Sequence, residues 1–150
     1  MAVRPKDEEE LRRLSIEMRF LEQTAETLQQ RITMLNAAIT DLTYANMTLD
    51  GMEKEKENAE LLIPIGGSSY IKVKLAESNK VVIGLGSGVS VEKTLNEAKN
   101  MVKERLDELE KTMVSAQQQF GQVAERINVS RNRLESLLSS AREGKAPGNV

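Results

Sequence analysis

The chain has 150 residues, a length typical of one domain, and its formal net charge is −2. Aromatic residues make up 3% and Trp is absent, so the composition argues against a large globular core, which usually depends on aromatic bulk. The absence of Cys and His excludes disulfides, thiolate and imidazole metal ligands, and a histidine general base. The near-neutral charge argues against partners such as nucleic acid or an anionic membrane.

The N-terminal sequence MAVRPKDEEE lacks the apolar run of a signal peptide. No stretch approaches the roughly 18 consecutive apolar residues of a membrane-spanning helix. We therefore expect a soluble protein in the cytoplasm.

A heptad pattern predicts one long helix within residues 1–58. Apolar residues alternate at spacings of three and four over about six heptads, as in a coiled coil. The positions are Leu11, Leu14, Met18, Leu21, Ala25, Leu28, Ile32, Leu35, Ile39, Leu42 and Leu49. Asn46 takes the remaining position, either as a buried residue that pins the register or as a partly hydrated one near the end of the seam. Gly51 weakens the helix, which should fray between residues 51 and 58.

Residues 59–93 are predicted to form four short strands, because alternating apolar residues are separated by the turn-forming sequences GGSS, ESN and GSG. The predicted strands are residues 61–65, 70–76, 80–85 and 89–93. We expect two hairpins, the first strand paired with the second and the third with the fourth. Pro64 lacks a backbone N–H, so the first strand should lie at an edge or carry a bulge.

These hairpins are predicted to be an assembly module. Isolated hairpins are marginal in water and expose unpaired edges. We expect the helices to leave them uncovered, because the apolar stripes of the helices are used on each other. The strands should therefore pair with strands of other chains. The predicted assembly residues are Leu61, Ile63, Ile65, Ile71, Val73, Leu75, Val81, Ile83, Leu85, Val89 and Val91.

The sequence GLGSGVS follows a strand and precedes a helix, as a dinucleotide-binding loop does. Its glycines, Gly84, Gly86 and Gly88, do not have the G-x-G-x-x-G spacing, and no second parallel strand follows. We assign them to turns and expect no cofactor. The chain has no Ser-His or Cys-His pair, and its glutamates are spread along the helices, so we expect no enzymatic activity.

Residues 94–143 are predicted to form a second long helix, with residues 144–150 as a flexible tail. Thr94 and Glu97 make a capping box at its start, and Gly144 and Pro147 mark its end. Its seam positions are Leu95, Ala98, Val102, Leu106, Leu109, Met113, Ala116, Phe120, Val123, Ile127, Ser130, Leu134, Leu137 and Ala141. The predicted fold is therefore α+β, a long antiparallel two-helix coiled coil with two central β-hairpins. Residues 11–18 should lie opposite roughly residues 134–141, at a tip distant from the strands.

Several apolar side chains near this tip leave the seam. Ile16 and Phe20 are four residues apart and share one helix face, and Leu138 and Val129 leave the seam of the second helix. They are either scattered surface hydrophobics or a contact surface, and their clustering favours contact. The candidate contact residues, hereafter the tip residues, are Leu11, Ile16, Phe20, Leu134 and Leu138.

A long helix, two hairpins and a second long helix resemble the alpha-type subunit of prefoldin, an ATP-independent co-chaperone, in its archaeal form. The resemblance is closest over LLIPIGGSSYIKVKL and KVVIGLGSGVSVEKTLNEA. It implies that two alpha-type and four beta-type subunits pool their hairpins into an intersubunit β-barrel platform. It also implies that the tips hold non-native polypeptides and deliver them to a group II chaperonin, which would make the tip residues client-binding.

Two alternatives share the same helices and strands. One is a structural coiled-coil scaffold or tether that binds a single folded partner. The other is a filament-forming homo-oligomer assembled through the hairpins. A holdase slows the aggregation of several unrelated proteins without nucleotide, whereas a scaffold does not. A filament-forming chain produces large species by itself.

Overall fold

The computed structural model describes residues 4–144 of the chain. Two helices flank four strands, which confirms the predicted α+β class. In chain order the elements are α1 (Pro5–Met52), β1 (Glu60–Gly66), β2 (Ser69–Lys74), β3 (Lys80–Gly86), β4 (Val89–Thr94) and α2 (Leu95–Gly144). The predicted tail falls outside the described residues except for Gly144, and Pro147 lies outside them as well.

The helices begin and end where their sequences favour it. Asp7 and Glu8 lie in the first turn of α1, where negative charge interacts favourably with the helix dipole. Helix α1 ends at Met52, beside Gly51. At the start of α2 the Glu97 N–H donates a hydrogen bond of 3.2 Å to Thr94 Oγ1, so Thr94 is the predicted N-cap. Every predicted seam position of both helices is buried or half-buried, Asn46 included.

The chain divides into two compact units. Unit 1 consists of Met1–Asn36 and Thr112–Val150, and unit 2 is Ala37–Lys111. Within unit 1 the two helical segments run antiparallel, because Glu10 pairs with Arg133 and Glu17 pairs with Arg126.

These ion pairs correct the predicted register of unit 1. They place residues 11–18 opposite approximately residues 125–132, so the expectation of residues 134–141 is wrong by about nine residues, or two and a half helical turns. An apolar repeat has the same spacing in every heptad and does not distinguish registers that differ by whole heptads. Charged partners beside the seam do distinguish them.

Unit 2 contains both hairpins with the predicted pairing. Strand β1 pairs antiparallel with β2, and β3 pairs antiparallel with β4. The register shifts between Pro64 and Gly66, as expected for a bulge beside a proline. It shifts in the same way between Gly84 and Gly86. Gly66 and Gly86 have φ angles of 104° and 96°, which a glycine adopts readily.

The expectation that the helices leave all the strands uncovered is wrong for β3. Ile83 is only 8% exposed and is part of a buried cluster in unit 2. The other buried members are the helical residues Leu49, Leu95, Ala98 and Val102. Ala98 is fully buried within this cluster. The seam is therefore closed at this point by a strand rather than by the helices alone.

Candidate functional site

The first hairpin, β1 with β2, exposes apolar side chains on both of its faces. Ile63 and Ile71 are directly paired across the strands and are 45% and 50% exposed. On the opposite face Leu62 and Tyr70 are 60% and 59% exposed. This second face also carries two lysines, so only the face of Ile63 and Ile71 is uniformly apolar. This hairpin is therefore suited to burial by other strands or chains.

The remaining assembly residues of the first hairpin lie at its ends. Leu61 and Val73 are cross-strand partners on the same face as Ile63 and both are half-buried. Ile65 lies at the bulge and is exposed. Leu75 follows the end of β2, where its N–H donates to the Ala59 carbonyl at 2.9 Å.

The second hairpin, β3 with β4, is partly covered within the chain. Ile83 is buried, while its partner Val91 and the neighbouring Val81 are half-buried. Leu85 and Val89 remain about half exposed, at 51% and 54%. All the predicted assembly residues therefore lie in unit 2, but one of them, Ile83, is already buried by residues of its own chain.

Backbone edges are the second feature of the assembly surface. Each sheet has two strands, so each described strand has one edge without a strand partner. Such edges can accept a strand from another chain. At the Gly84 carbonyl of β3, an N–H of the Arg105 guanidinium donates a hydrogen bond of 2.9 Å. This contact ties the second hairpin to α2.

The tip residues all lie in unit 1 but fall into different environments. Leu11 and Leu134 are half-buried at seam positions. Ile16 and Phe20 are 64% and 66% exposed, one turn apart on α1. Leu138 is 43% exposed on α2.

The structure does not bring all the tip residues together. The ion-pair register places Leu138 opposite approximately residue 5 of α1. At a rise of 1.5 Å per residue, Leu138 is then roughly 16 Å further along the helix pair than Ile16. Ile16 and Phe20 therefore form one apolar patch, and Leu138 lies apart from it.

Two cross-helix ion pairs flank the seam of unit 1 and were missed by the search for apolar patterns. Glu10 accepts two hydrogen bonds from Arg133, at 2.8 and 3.2 Å, and Glu17 accepts one from Arg126 at 3.3 Å. The hydrogen bonds from Arg133 hold the pKa of the Glu10 carboxyl below its ordinary value. Charged residues that flank an apolar seam commonly pair across it, but which glutamate meets which arginine depends on the helix register, which the heptad pattern leaves open.

A shallow groove of unit 1 contains Val129, which is 64% exposed. Its other lining residues are Glu17, Gln122, Glu125, Arg126 and Ser130. Among residues 4–144, no group of three or more acidic side chains is arranged to hold a metal ion. Neither described helix contains a segment long and apolar enough to span a membrane.

The profile that describes prefoldin subunits matches residues 21–140. The chain belongs to the prefoldin subunit family. This family consists of chaperone subunits, which supports a chaperone-subunit role for the chain.

Curated relatives named prefoldin subunit alpha are similar over most of their length. The one from Methanococcoides burtonii is 32% identical over 89% of this chain and 88% of its own. The one from Methanoculleus marisnigri is 31% identical over 93% of each chain. The one from Pyrococcus horikoshii is 31% identical over 79% of this chain and 80% of its own. These relatives confirm the resemblance to archaeal prefoldin alpha subunits.

Solved prefoldin structures share the fold. A chain of filamentous prefoldin from Methanocaldococcus jannaschii has a TM-score of 0.63 at 23% identity, covering 74% of this chain and 92% of that one. The prefoldin beta subunit from Thermococcus strain KS-1 has a TM-score of 0.58 at 15% identity, covering 89% and 93%.

Proposed function

We propose that this chain is the alpha-type subunit of an ATP-independent holdase in the cytoplasm. It captures non-native polypeptides through the tip residues and delivers them to a group II chaperonin. The observation that carries the proposal is the combination of two surfaces within a prefoldin-family chain. The first hairpin in unit 2 exposes apolar side chains on both faces, and unit 1 exposes the apolar pair Ile16 and Phe20.

The assembly step uses the hairpins of several subunits. Two alpha-type and four beta-type subunits pool their strands into a β-barrel platform. Burying a large aliphatic side chain contributes about 1.5–3 kcal/mol, and Ile63 and Ile71 are two such residues on one face of the first hairpin. The unpaired strand edges add main-chain hydrogen bonds to the interface. The similarity to alpha-type prefoldin relatives supports assembly with other prefoldin subunits.

Client capture then depends on several weak contacts. An apolar pair such as Ile16 and Phe20 is too small for tight binding by one subunit. Several subunits joined by one platform raise the effective concentration of each further contact, so that avidity exceeds the affinity of any single contact. A chaperonin can displace such contacts one at a time, and release needs no nucleotide.

A filament is the second candidate, and one comparison favours it. The M. jannaschii chain with a TM-score of 0.63 comes from filamentous prefoldin. The hairpins of this chain present open edges, and a head-to-tail use of those edges would give an open polymer. In that case the purified chain forms large species without a beta-type subunit.

The test is co-expression with a beta-type subunit, followed by measurement of the native mass and of the aggregation of several unrelated unfolding proteins. The wild-type complex should have the mass of two alpha-type and four beta-type subunits and should slow aggregation without nucleotide. The Ile63→Asp variant should assemble at least about 100-fold more weakly, because it buries an unpaired carboxylate.

The double variant Ile16→Ser/Phe20→Ser separates the two surfaces. It should retain the wild-type mass and lose most of the aggregation suppression. A matched control is Met34→Ser/Val114→Ser, which removes two other exposed apolar side chains of unit 1. If the Ile16→Ser/Phe20→Ser variant suppressed aggregation as fully as the wild type, client binding at this pair of residues would be contradicted. Large species from the chain alone would favour the filament.

A further inference from the structure

The apolar pair of unit 1 is surrounded by arginines. Arg12, Arg13 and Arg19 are exposed and lie three or four residues from Ile16 on α1, so all three are on or beside the helix face that carries Ile16 and Phe20. Residues 11–20 contain these three arginines and a single glutamate, whereas the whole chain has a net charge of −2. We call Arg12, Arg13, Ile16, Arg19 and Phe20 the arginine-fringed patch.

Two acidic residues near the patch are paired elsewhere, whereas Glu8, Glu9 and Glu22 lie three or four residues from one of its arginines. Glu17 is paired with Arg126, and Glu10 is paired with Arg133, both across the seam to α2. Arg13 contributes a weaker favourable charge interaction to Glu10. Glu9 lines the same groove as Arg12 and Ile16, and it has no cross-helix partner in the part of the chain that the structure describes.

The three arginines are available to a bound molecule. Within residues 4–144, none of Arg12, Arg13 and Arg19 forms an ion pair within 4.0 Å. A guanidinium presents a planar set of donors that matches a carboxylate in a two-point contact. The patch therefore combines a small apolar centre with donors suited to acidic groups on its rim.

We propose that this patch selects client segments in which large apolar side chains are flanked by carboxylates. The inference rests on the proposed holdase function and names its preferred substrate class. The apolar side chains of the segment cover Ile16 and Phe20, and its Asp or Glu residues reach the guanidinium groups at the rim. Segments that are equally apolar but flanked by Lys or Arg meet like charges and bind less tightly.

The expected preference is modest because the patch is exposed. Exposed ion pairs contribute about 0.2–1 kcal/mol each, so three of them favour an acidic segment over a neutral one by at least about threefold and at most about 150-fold. Raising the salt concentration to about 1 M shortens the screening length to about 3 Å, which should remove most of this preference. Binding of the neutral segment should change little, because its contacts are apolar.

The experiment measures binding of three labelled, unstructured peptides to the assembled complex by fluorescence anisotropy. The peptides share the same Leu, Phe and Val residues and differ only in the intervening residues, which are Glu, Gln or Lys. The test variant is Arg12→Gln/Arg13→Gln/Arg19→Gln. The control variant, Arg31→Gln/Lys103→Gln/Lys111→Gln, removes the same charge from exposed positions outside the patch. Native mass and helical content are checked for both variants.

The proposal predicts that the wild type and the control variant prefer the Glu peptide and that the test variant binds the Glu and Gln peptides equally. Equal binding of all three peptides by the wild type would overturn the inference and leave the holdase function standing. Failure of the wild type to bind any peptide or slow any aggregation would overturn both.

Two further outcomes would assign the arginines to another molecule and overturn the inference. One is loss of chaperonin binding in the test variant while the peptide preference persists. The other is tight binding of single-stranded RNA that the test variant abolishes, with no preference among the peptides.

Discussion

The two hairpins of unit 2 have the same backbone plan and different surroundings. Each residue of the first hairpin corresponds to the residue 20 positions later in the second, so that Ile63 with Ile71 corresponds to Ile83 with Val91. The bulge glycines correspond as well, with φ angles of 104° at Gly66 and 96° at Gly86. Ile63 is 45% exposed, whereas Ile83 is 8% exposed.

The difference shows that a hairpin's role depends on the surface available to its apolar face. The second hairpin packs on a cluster that contains Leu49, Ala98 and Val102 of the helices, and the Arg105 guanidinium binds its Gly84 carbonyl. None of the buried residues of that cluster comes from the first hairpin. The second hairpin is thus partly buried by its own chain, whereas the apolar face of the first remains about half exposed.

The largest expected effect comes from truncating the two corresponding isoleucines. Ile83→Ala should lower the free energy of unfolding of the purified chain by about 2–4 kcal/mol, because it leaves a cavity in a buried cluster. Ile63→Ala should lower it by less than about 1 kcal/mol, because its side chain is already hydrated. Urea titration followed by circular dichroism measures both values. Equal losses would break the comparison between the hairpins.

Substituting the bulge glycine should destabilise both hairpins equally, because the need for a positive φ is set by the local backbone of each hairpin. Gly66→Ala and Gly86→Ala should each destabilise their own hairpin by about 1–2 kcal/mol, since a side chain is strained at positive φ. Amide hydrogen exchange of each hairpin measures this.

The control for the bulge glycines is Gly84→Ala. Gly84 does not have a positive φ, and an added Cβ would meet only Ser90 Oγ, at 4.0 Å. We therefore expect no loss of exchange protection from this substitution. Faster exchange in the Gly84 variant than in the Gly86 variant would show that space rather than backbone conformation limits this strand.

Removing the hydrogen bond from Arg105 of α2 should destabilise the second hairpin alone, by less than the substitutions above. Arg105→Gln should loosen the second hairpin by about 0.5–1.5 kcal/mol, because the Gly84 carbonyl loses a hydrogen bond. Hydrogen exchange should become faster in β3 and remain unchanged in β1 and β2. Equal acceleration in both hairpins would show that Arg105 stabilises unit 2 as a whole.

The smallest effect is a pH dependence confined to the second hairpin. A hydrogen bond to Glu92, reinforced by Glu77, raises the pKa of Lys80 above its ordinary value. The stability from this group is present below the ordinary lysine pKa of about 10.4 and is lost as the pH rises through the raised value. Lys80→Met should therefore lose slightly less stability than the wild type between about pH 9 and pH 11.5. Urea midpoints at the two pH values test this, and identical losses would contradict it.

Much of the fold could be predicted from local patterns. The heptads predicted both helices and all their seam positions, and the turn sequences predicted four strands with the correct pairing. Thr94 was predicted as the N-cap and Pro64 as the position of a bulge. The exposure of Ile16 and Phe20 also agrees with their heptad positions. Each of these features depends on a residue's own conformational preference or on neighbours close in sequence.

The amino-acid sequence by itself therefore determined the elements, their order, the hairpin pairing and the family to which the chain belongs. Only the tertiary structure decided the helix register of unit 1, the burial of Ile83 and the separation of Leu138 from Ile16. Those features depend on distant segments, because heptads repeat identically and leave several registers equally apolar. The ion pair of Glu10 with Arg133 distinguishes among these registers, and both it and the cluster that buries Ile83 form only when the chain folds.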